Sequence, residues 1–80
     1  MSQIIKFERK NCAPCVLVGN ALKSANIPHT AVDVEEQPEL AAKYRIMSVP
    51  TIINGDDVVV GGANCMAYIT QLNAKGRDNK

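Results

Sequence analysis

A strand–helix–strand pattern fills the first 34 residues and most constrains how this chain can fold. Residues 3–7 read QIIKF, a β-branched and aromatic run typical of a buried strand, and residues 29–34 read HTAVDV, which alternates as a strand does. Between them, residues 14–26 carry apolar side chains at helical spacing. Two strands joined by one helix make a βαβ unit, in which the crossover is right-handed and the strands are parallel. The polar residues 8–11 form the loop that enters the helix.

A short helix and a hairpin are predicted next. Residues 38–45, PELAAKYR, begin with proline and an acidic residue and end with basic residues, the charge order that a short helix prefers. Asn54-Gly55 then lies between two β-branched runs, residues 51–53 and 58–60. Asn-Gly between such runs is the strongest short signal of a β-hairpin.

The double glycine at residues 61–62 ends the last strand, and Asn64 can cap a final helix that runs to about Ala74. The order β-α-β-α-β-β-α predicts an α/β fold, with a four-stranded mixed sheet and helices on both faces. Eighty residues make one domain. We expect that domain to span residues 1–75, with residues 76–80 as a frayed tail.

Composition excludes several classes of function. The formal net charge is +1, which favours neither nucleic acid nor a membrane surface as a partner. No apolar run approaches the 18 residues or more that a membrane span needs. The first ten residues, MSQIIKFERK, lack the charged start and long apolar middle of a signal peptide. We therefore expect a cytoplasmic protein, where a C-x-x-C pair is catalytic or metal-binding more often than structural.

Cys12-Ala13-Pro14-Cys15 places two thiols near the predicted start of the first helix. Such a pair can be a metal clamp, a structural disulfide or a reaction centre. A structural zinc site needs four ligands, and the only further candidates are His29 and Cys65, which are not clustered. A disulfide that closes so short a loop restrains little chain entropy. We therefore expect no metal and no purely structural disulfide.

Redox chemistry fits the position of the pair. Cys12 falls at the N-cap, where unpaired amides and the helix dipole stabilise an anion. The thiolate is the nucleophile, and C-x-x-C thiols at helix N-termini have pKa values lowered to about 3.5–7.5. Cys15, one turn further in, is expected to be less exposed and suited to resolve a mixed disulfide. Pro14 costs little in the first turn; it either only starts the helix or also stiffens the ring that the disulfide closes.

Residues 44–63, YRIMSVPTIINGDDVVVGGA, supply a second motif. Tyr44-x-Ile46-x-x-Val49-Pro50-Thr51, followed by Asn54-Gly55-Asp56, resembles the thioredoxin family's pattern around its cis-proline. The Cys12–Cys15 motif is similar to the Cys-Gly-Pro-Cys of that family, so the match runs over residues 3–73. The resemblance implies a minimal thioredoxin fold in which the Val49–Pro50 bond is cis and faces the dithiol. It also implies that Val49, Pro50 and Thr51 receive an extended substrate segment.

Several positions depart from the thioredoxin pattern. Full thioredoxins begin with an extra strand and helix, so this shorter outline is similar to glutaredoxins and to the glutaredoxin-like hydrogen donors of ribonucleotide reductase. Asn11 replaces the tryptophan that precedes the first cysteine. Lys6 stands where thioredoxins bury a carboxylate that handles the proton of the resolving cysteine. Glu8 could substitute only by turning inward, and we expect it in an exposed loop.

The chain shares some sequence features with glutaredoxins and lacks others. Arg9 falls where glutaredoxins often have a glutathione-contacting lysine, and Gly61-Gly62 resembles the Gly-Gly before their last helix. In glutaredoxins an Asp that binds glutathione usually follows the two glycines, and in this chain Asn64 and Cys65 stand there instead. The alternatives are that Arg9 lies in a solvated loop and that the glycines only end a strand with unusual φ values. Cys65 is either a small buried residue or an exposed thiol.

The predicted function is reduction of protein disulfides by dithiol exchange. Cys12 attacks the substrate, Cys15 then attacks Cys12, and the pair is left oxidised. This redox-active disulfide needs no bound cofactor, and its electrons come from a thioredoxin reductase or from glutathione. We expect a monomer acting on disulfide-containing proteins, with ribonucleotide reductase as a client suggested by the resemblance. The alternatives are a glutathione-coupled glutaredoxin and a non-catalytic thioredoxin-fold binding module.

Overall fold

The computed structural model describes the backbone of residues 3–78 and the side chains of residues 3–74. Seven elements follow one another in the order that the sequence predicts. The strands are β1 (Ile4–Glu8), β2 (Thr30–Asp33), β3 (Thr51–Asn54) and β4 (Asp57–Val60). The helices are α1 (Ala13–Ser24), α2 (Pro38–Lys43) and α3 (Gly62–Asp78).

The strands form one mixed sheet in the order β2-β1-β3-β4. β1 runs parallel to β2, as the βαβ pattern predicts, and antiparallel to β3. β3 and β4 form the antiparallel hairpin, with Gly55 in its turn at φ 61°, a left-handed conformation that glycine adopts without cost. The predicted four-stranded mixed sheet is therefore confirmed.

Helices cover both faces of the sheet. On one face α1 and α3 pack over a cluster of fully or nearly fully buried side chains, namely Val18, Leu22, Ile52, Cys65 and Ile69. On the other face a second cluster, Phe7, Val32 and Ile53, is covered by side chains of α2 and the residues after it. No helix in the described part of the chain is both long and apolar enough to cross a bilayer.

Two local expectations differ from the structure. Glu8 is the last residue of β1 and not part of the loop, because its backbone still pairs with Asp33 of β2. Asn64 does not cap α3, which begins two residues earlier, and its Nδ2 instead donates to the carbonyl of Val60 at 2.9 Å. The backbone of α3 is described through Asp78, residues 79–80 lie outside the described part, and the frayed tail at residues 76–80 stays a prediction.

Candidate active site

The two cysteines lie at the N-terminus of α1 and are joined by a disulfide. Cys12 is the N-cap, with an extended backbone, and its Sγ accepts a hydrogen bond from the amide of Cys15 at 3.2 Å. Ala13 and Pro14 form the first helical residues, where the missing amide of proline leaves no bond unmade. The predicted capping role of Cys12 is confirmed, since the amide of Cys15, which has no partner within the helix, donates to its sulfur.

The two sulfurs differ in access. Cys12 is 8% exposed and Cys15 only 2%, which agrees with the expectation that the inner residue is less exposed. Just before them, Asn11 adopts a φ of 57°, in the left-handed region that asparagine tolerates better than most residues. That turn brings the chain from β1 to Cys12 at the start of α1.

The loop before β3 forms the second part of the site. The Val49–Pro50 peptide bond is cis, and Pro50 is fully buried. Thr51 is 2% exposed, and its hydroxyl donates to the carbonyl of Ser48 at 2.8 Å. Of the three residues predicted to contact substrate, Val49 is thus the one that remains partly accessible. The buried Thr51 side chain instead stabilises the loop through its hydrogen bond to Ser48.

The two glycines connect this loop to the cysteine motif. The amide of Gly61 donates to the carbonyl of Pro50 at 2.9 Å. Gly61 has a φ of 97°, a conformation that favours glycine. A Cβ atom on Gly62 would lie only 3.0 Å from the Cβ of Pro14. The proline loop, the start of α3 and the first turn of α1 therefore meet at one end of the molecule.

A groove runs beside the proline loop. It encloses about 340 Å³ and is lined by Arg9, Val34 and the four residues 46–49. Arg9 itself is exposed. The structure therefore places this predicted residue in the same groove as Val49.

A second, apolar groove lies beside the first turn of α1. It encloses about 270 Å³ between α1 and α3, and it is lined by Pro14, Leu17, Gly62, Ala63 and Met66. Large apolar side chains are exposed here, Leu17 at 60% and Met66 at 40%. The unbroken apolar run from Val16 to Val18 indicates that not all of its members can face the core, and Val16 is exposed as well.

Cys65 is buried and does not belong to the reactive surface. It is 0% exposed, and its Sγ lies 3.5 Å from the carbonyl oxygen of Val59 and 3.8 Å from that of Pro50. Burial raises the pKa of the Cys65 thiol above 9.0, although a hydrogen bond with the backbone of Ile52 partly opposes the shift. Of the two alternatives for this residue, the small buried one is confirmed. Within the described residues, no three His, Cys, Asp or Glu side chains are grouped to hold a metal ion.

Comparison with known sequences assigns the chain to a family. The family described as "Thioredoxin domain" matches residues 3–72, and the chain belongs to it. The chain is 45% identical over 51 residues to the SPbeta prophage-derived thioredoxin-like protein YosR of Bacillus subtilis. It is 33% identical over 57 residues to thioredoxin of Staphylococcus aureus. These matches cover 64% of this chain in both cases, and 64% and 55% of the two relatives, so the chain matches less than two thirds of each relative's length.

Solved structures show the same fold. The thioredoxin-like protein BC3987 superposes with a TM-score of 0.75 at 28% identity, covering 88% of this chain and 99% of that one. The glutaredoxin-like protein NrdH-redoxin from Escherichia coli gives a TM-score of 0.76 at 23% identity, covering 88% and 93%. The expected minimal thioredoxin fold is thus confirmed.

Proposed function

We propose that this protein is a thiol–disulfide oxidoreductase that reduces protein disulfides through Cys12 and Cys15. The observation that carries the proposal is the arrangement at the start of α1. A cysteine pair caps the helix, one sulfur is more accessible than the other, and the proline loop lies beside them through Gly61 and Gly62. Membership of the thioredoxin-domain family supports the same chemistry.

The exchange has two steps. The Cys12 thiolate attacks one sulfur of the substrate disulfide, a bond forms between them, and the other substrate sulfur leaves with the electron pair and takes up a proton. Cys15 then loses its proton to water and attacks the sulfur of Cys12. This step forms the Cys12–Cys15 disulfide and releases the second substrate thiol. Two electrons have passed to the substrate, and a donor must return them.

Binding of the substrate is assigned to the surface around the disulfide. An extended segment beside the reacting cysteine pairs with the backbone at Val49, in the manner of an added strand. Apolar side chains of the same segment enter the groove between α1 and α3, where Leu17 and Met66 are exposed. Ribonucleotide reductase is a client of this kind that the family resemblance suggests, and we propose a monomer acting in the cytoplasm.

Glutathione as the electron donor is the second candidate, and the groove beside Arg9 favours it. Glutathione is a short peptide with two carboxylates, and Arg9 can bind a carboxylate through two hydrogen bonds. The groove of about 340 Å³ joins this guanidinium to Val49, the residue that precedes the cis-proline. In this reaction glutathione attacks the oxidised pair, and a second glutathione releases the reduced protein as glutathione disulfide forms.

A paired turnover assay separates the two donors. A model protein disulfide is incubated with the protein, in one arm with thioredoxin reductase and NADPH and in the other with glutathione, glutathione reductase and NADPH. Turnover in the first arm but not in the second supports the thioredoxin-like proposal. Turnover in the second arm but not in the first supports a glutathione-coupled glutaredoxin. Arg9→Gln should slow the second arm alone, with Lys10→Gln as the matched control.

Cysteine variants test the chemistry itself. Cys15→Ser should accumulate a covalent complex with substrate through Cys12, whereas Cys12→Ser should not, because the inner sulfur is shielded. A non-catalytic binding module would instead keep its effect after both cysteines are replaced. Failure of the purified protein to cycle between disulfide and dithiol would overturn the proposal.

A further inference from the structure

Lys6 is a buried lysine in the middle of β1. Its side chain is only 7% exposed, and its Nζ donates a hydrogen bond to Oε1 of Glu8, whose side chain is 31% exposed. Lysine is almost never buried without a partner, because removing an ammonium from water costs free energy that a partner has to offset. Glu8 is that partner, so the two charges form one unit beneath α1.

This pair lies against the helix that carries the cysteines. Lys6 is paired across the sheet with Ile52, which belongs to the cluster under α1 and α3. A Cβ atom on Gly19 would be 2.8 Å from Lys6 Nζ, so the ammonium packs against the backbone of α1. Cys15 and Gly19 are both buried on the inner side of α1, one turn apart. Since Cβ positions four residues apart are about 5–6 Å from each other, the ammonium lies within about 9 Å of the Cys15 Cβ.

Charges this close act differently on the two oxidation states. The Cys12–Cys15 disulfide is neutral, whereas the dithiol made from it by two electrons and two protons can lose a proton to water and leave a thiolate. A nearby ammonium stabilises a thiolate, and a nearby carboxylate destabilises it. We propose, resting on the dithiol exchange proposed above, that Lys6 and Glu8 are positioning residues that set the redox potential of Cys12–Cys15 by opposing electrostatic effects.

Other charged groups near the site are placed differently. Asp33 faces the same side of the sheet as Glu8, but its Oδ1 accepts backbone amides of the turn that follows β2. Arg9 is exposed, and Lys10 forms a surface ion pair with Glu36 at 3.7 Å in which both side chains are mostly exposed. Water and salt screen charges at such positions. Lys10 is therefore a matched control, since it is close to Cys12 in the chain but lacks burial.

The test is a redox titration at neutral pH. The wild-type protein and four variants, Lys6→Met, Glu8→Gln, the double variant and Lys10→Met, are equilibrated with glutathione buffers, quenched by alkylation and read by mass. Lys6→Met should lower the equilibrium constant for reduction about tenfold, a shift of about 30 mV, and Glu8→Gln should raise it about as much. The double variant should return to within about threefold of wild type, and Lys10→Met should leave the constant unchanged.

Opposite signs are the deciding feature, because a merely structural role would move both variants in the same direction. Shifts of the same sign, or shifts no larger than that of Lys10→Met, would overturn the proposal. Should Lys6→Met fail to fold, Glu8→Gln still decides, since it keeps the ammonium and a hydrogen-bond acceptor while removing the negative charge. The titration needs only a reversible disulfide, so a protein without reductase activity would refute the proposed function and leave this measurement valid.

Discussion

Replacing Gly19 by alanine should have opposite effects on stability with and without Lys6. Glycine in a helix interior is less favourable than alanine by about 0.8–1.0 kcal/mol, so Gly19→Ala by itself should stabilise the helix by that amount. The new Cβ would, however, stand 2.8 Å from Lys6 Nζ, and the ammonium has to withdraw. Lys6 Nζ is the end of a flexible side chain and can move away. The cost is mainly the disturbance of its buried hydrogen bond to Glu8, and a hydrogen bond to a charged group contributes about 1.5–3 kcal/mol.

The arithmetic gives a net loss in the wild-type background. Subtracting the helix gain of about 1 kcal/mol leaves Gly19→Ala destabilising by about 0.5–2 kcal/mol. In the Lys6→Met background the Nζ atom is gone, and the nearest remaining side-chain position, that of Cε, is 3.7 Å away, an ordinary contact. There the same substitution should stabilise the protein by about 1 kcal/mol, which is about 4–8 °C in Tm for a domain of this size.

The assay is urea unfolding of the oxidised protein in a double-mutant cycle, with unchanged m-values as the sign that the denatured state is unaffected. Asn20→Ala is the control, since Asn20 is exposed on the same helix and should act equally in both backgrounds. A coupling energy below about 0.5 kcal/mol between positions 6 and 19 would refute the reasoning, because such a value is typical of independent sites.

Three further predictions concern the rest of the fold. Tyr68→Phe should cost about 1 kcal/mol in urea unfolding, because the hydroxyl accepts from Asn54 at 2.9 Å and donates to a neighbouring carboxylate at 2.8 Å. The stability of the oxidised wild type should fall as pH rises above 9.0. Burial raises the pKa of the Cys65 thiol in the folded protein, so the thiol ionises more readily once the chain unfolds. Cys65→Ala should lose less stability over the same pH range, and an equal loss would contradict this explanation. Gly62→Ala should slow disulfide exchange, because the new Cβ would stand 3.0 Å from the Cβ of Pro14 and displace that residue, whereas Ala63→Ser should not.

Local patterns were enough to predict the fold. The β-branched runs, the Asn-Gly turn and the proline that begins α2 each specify structure within a few residues, and the structure has all seven elements in order. The boundaries were less certain, since pairing between strands determines where a strand ends. Glu8 was expected in the loop and lies in β1, because Asp33 across the sheet continues the ladder for one more residue.

The site was predictable in its motifs and not in its surroundings. The spacing of Cys12 and Cys15 and the Val49–Pro50 motif can be read from the sequence alone. The contact between Lys6 and Gly19 joins residues of different elements, and it depends on how closely α1 approaches the sheet. One signal was available, since a glycine inside a helical pattern costs stability and often marks a close approach.

The position of β1 has a consequence for synthesis on the ribosome. β1 is made before the other described strands, yet it lies in the interior of the sheet, and one of its two partners, β3, begins only at Thr51. Until that hairpin and α3 emerge, a nascent chain can form little more than its first βαβ unit. Cys12 and Cys15 then lie beside an incomplete sheet. Ribosomes stalled before Thr51 should therefore yield fragments that crosslink with foreign thiols more readily than the full chain does.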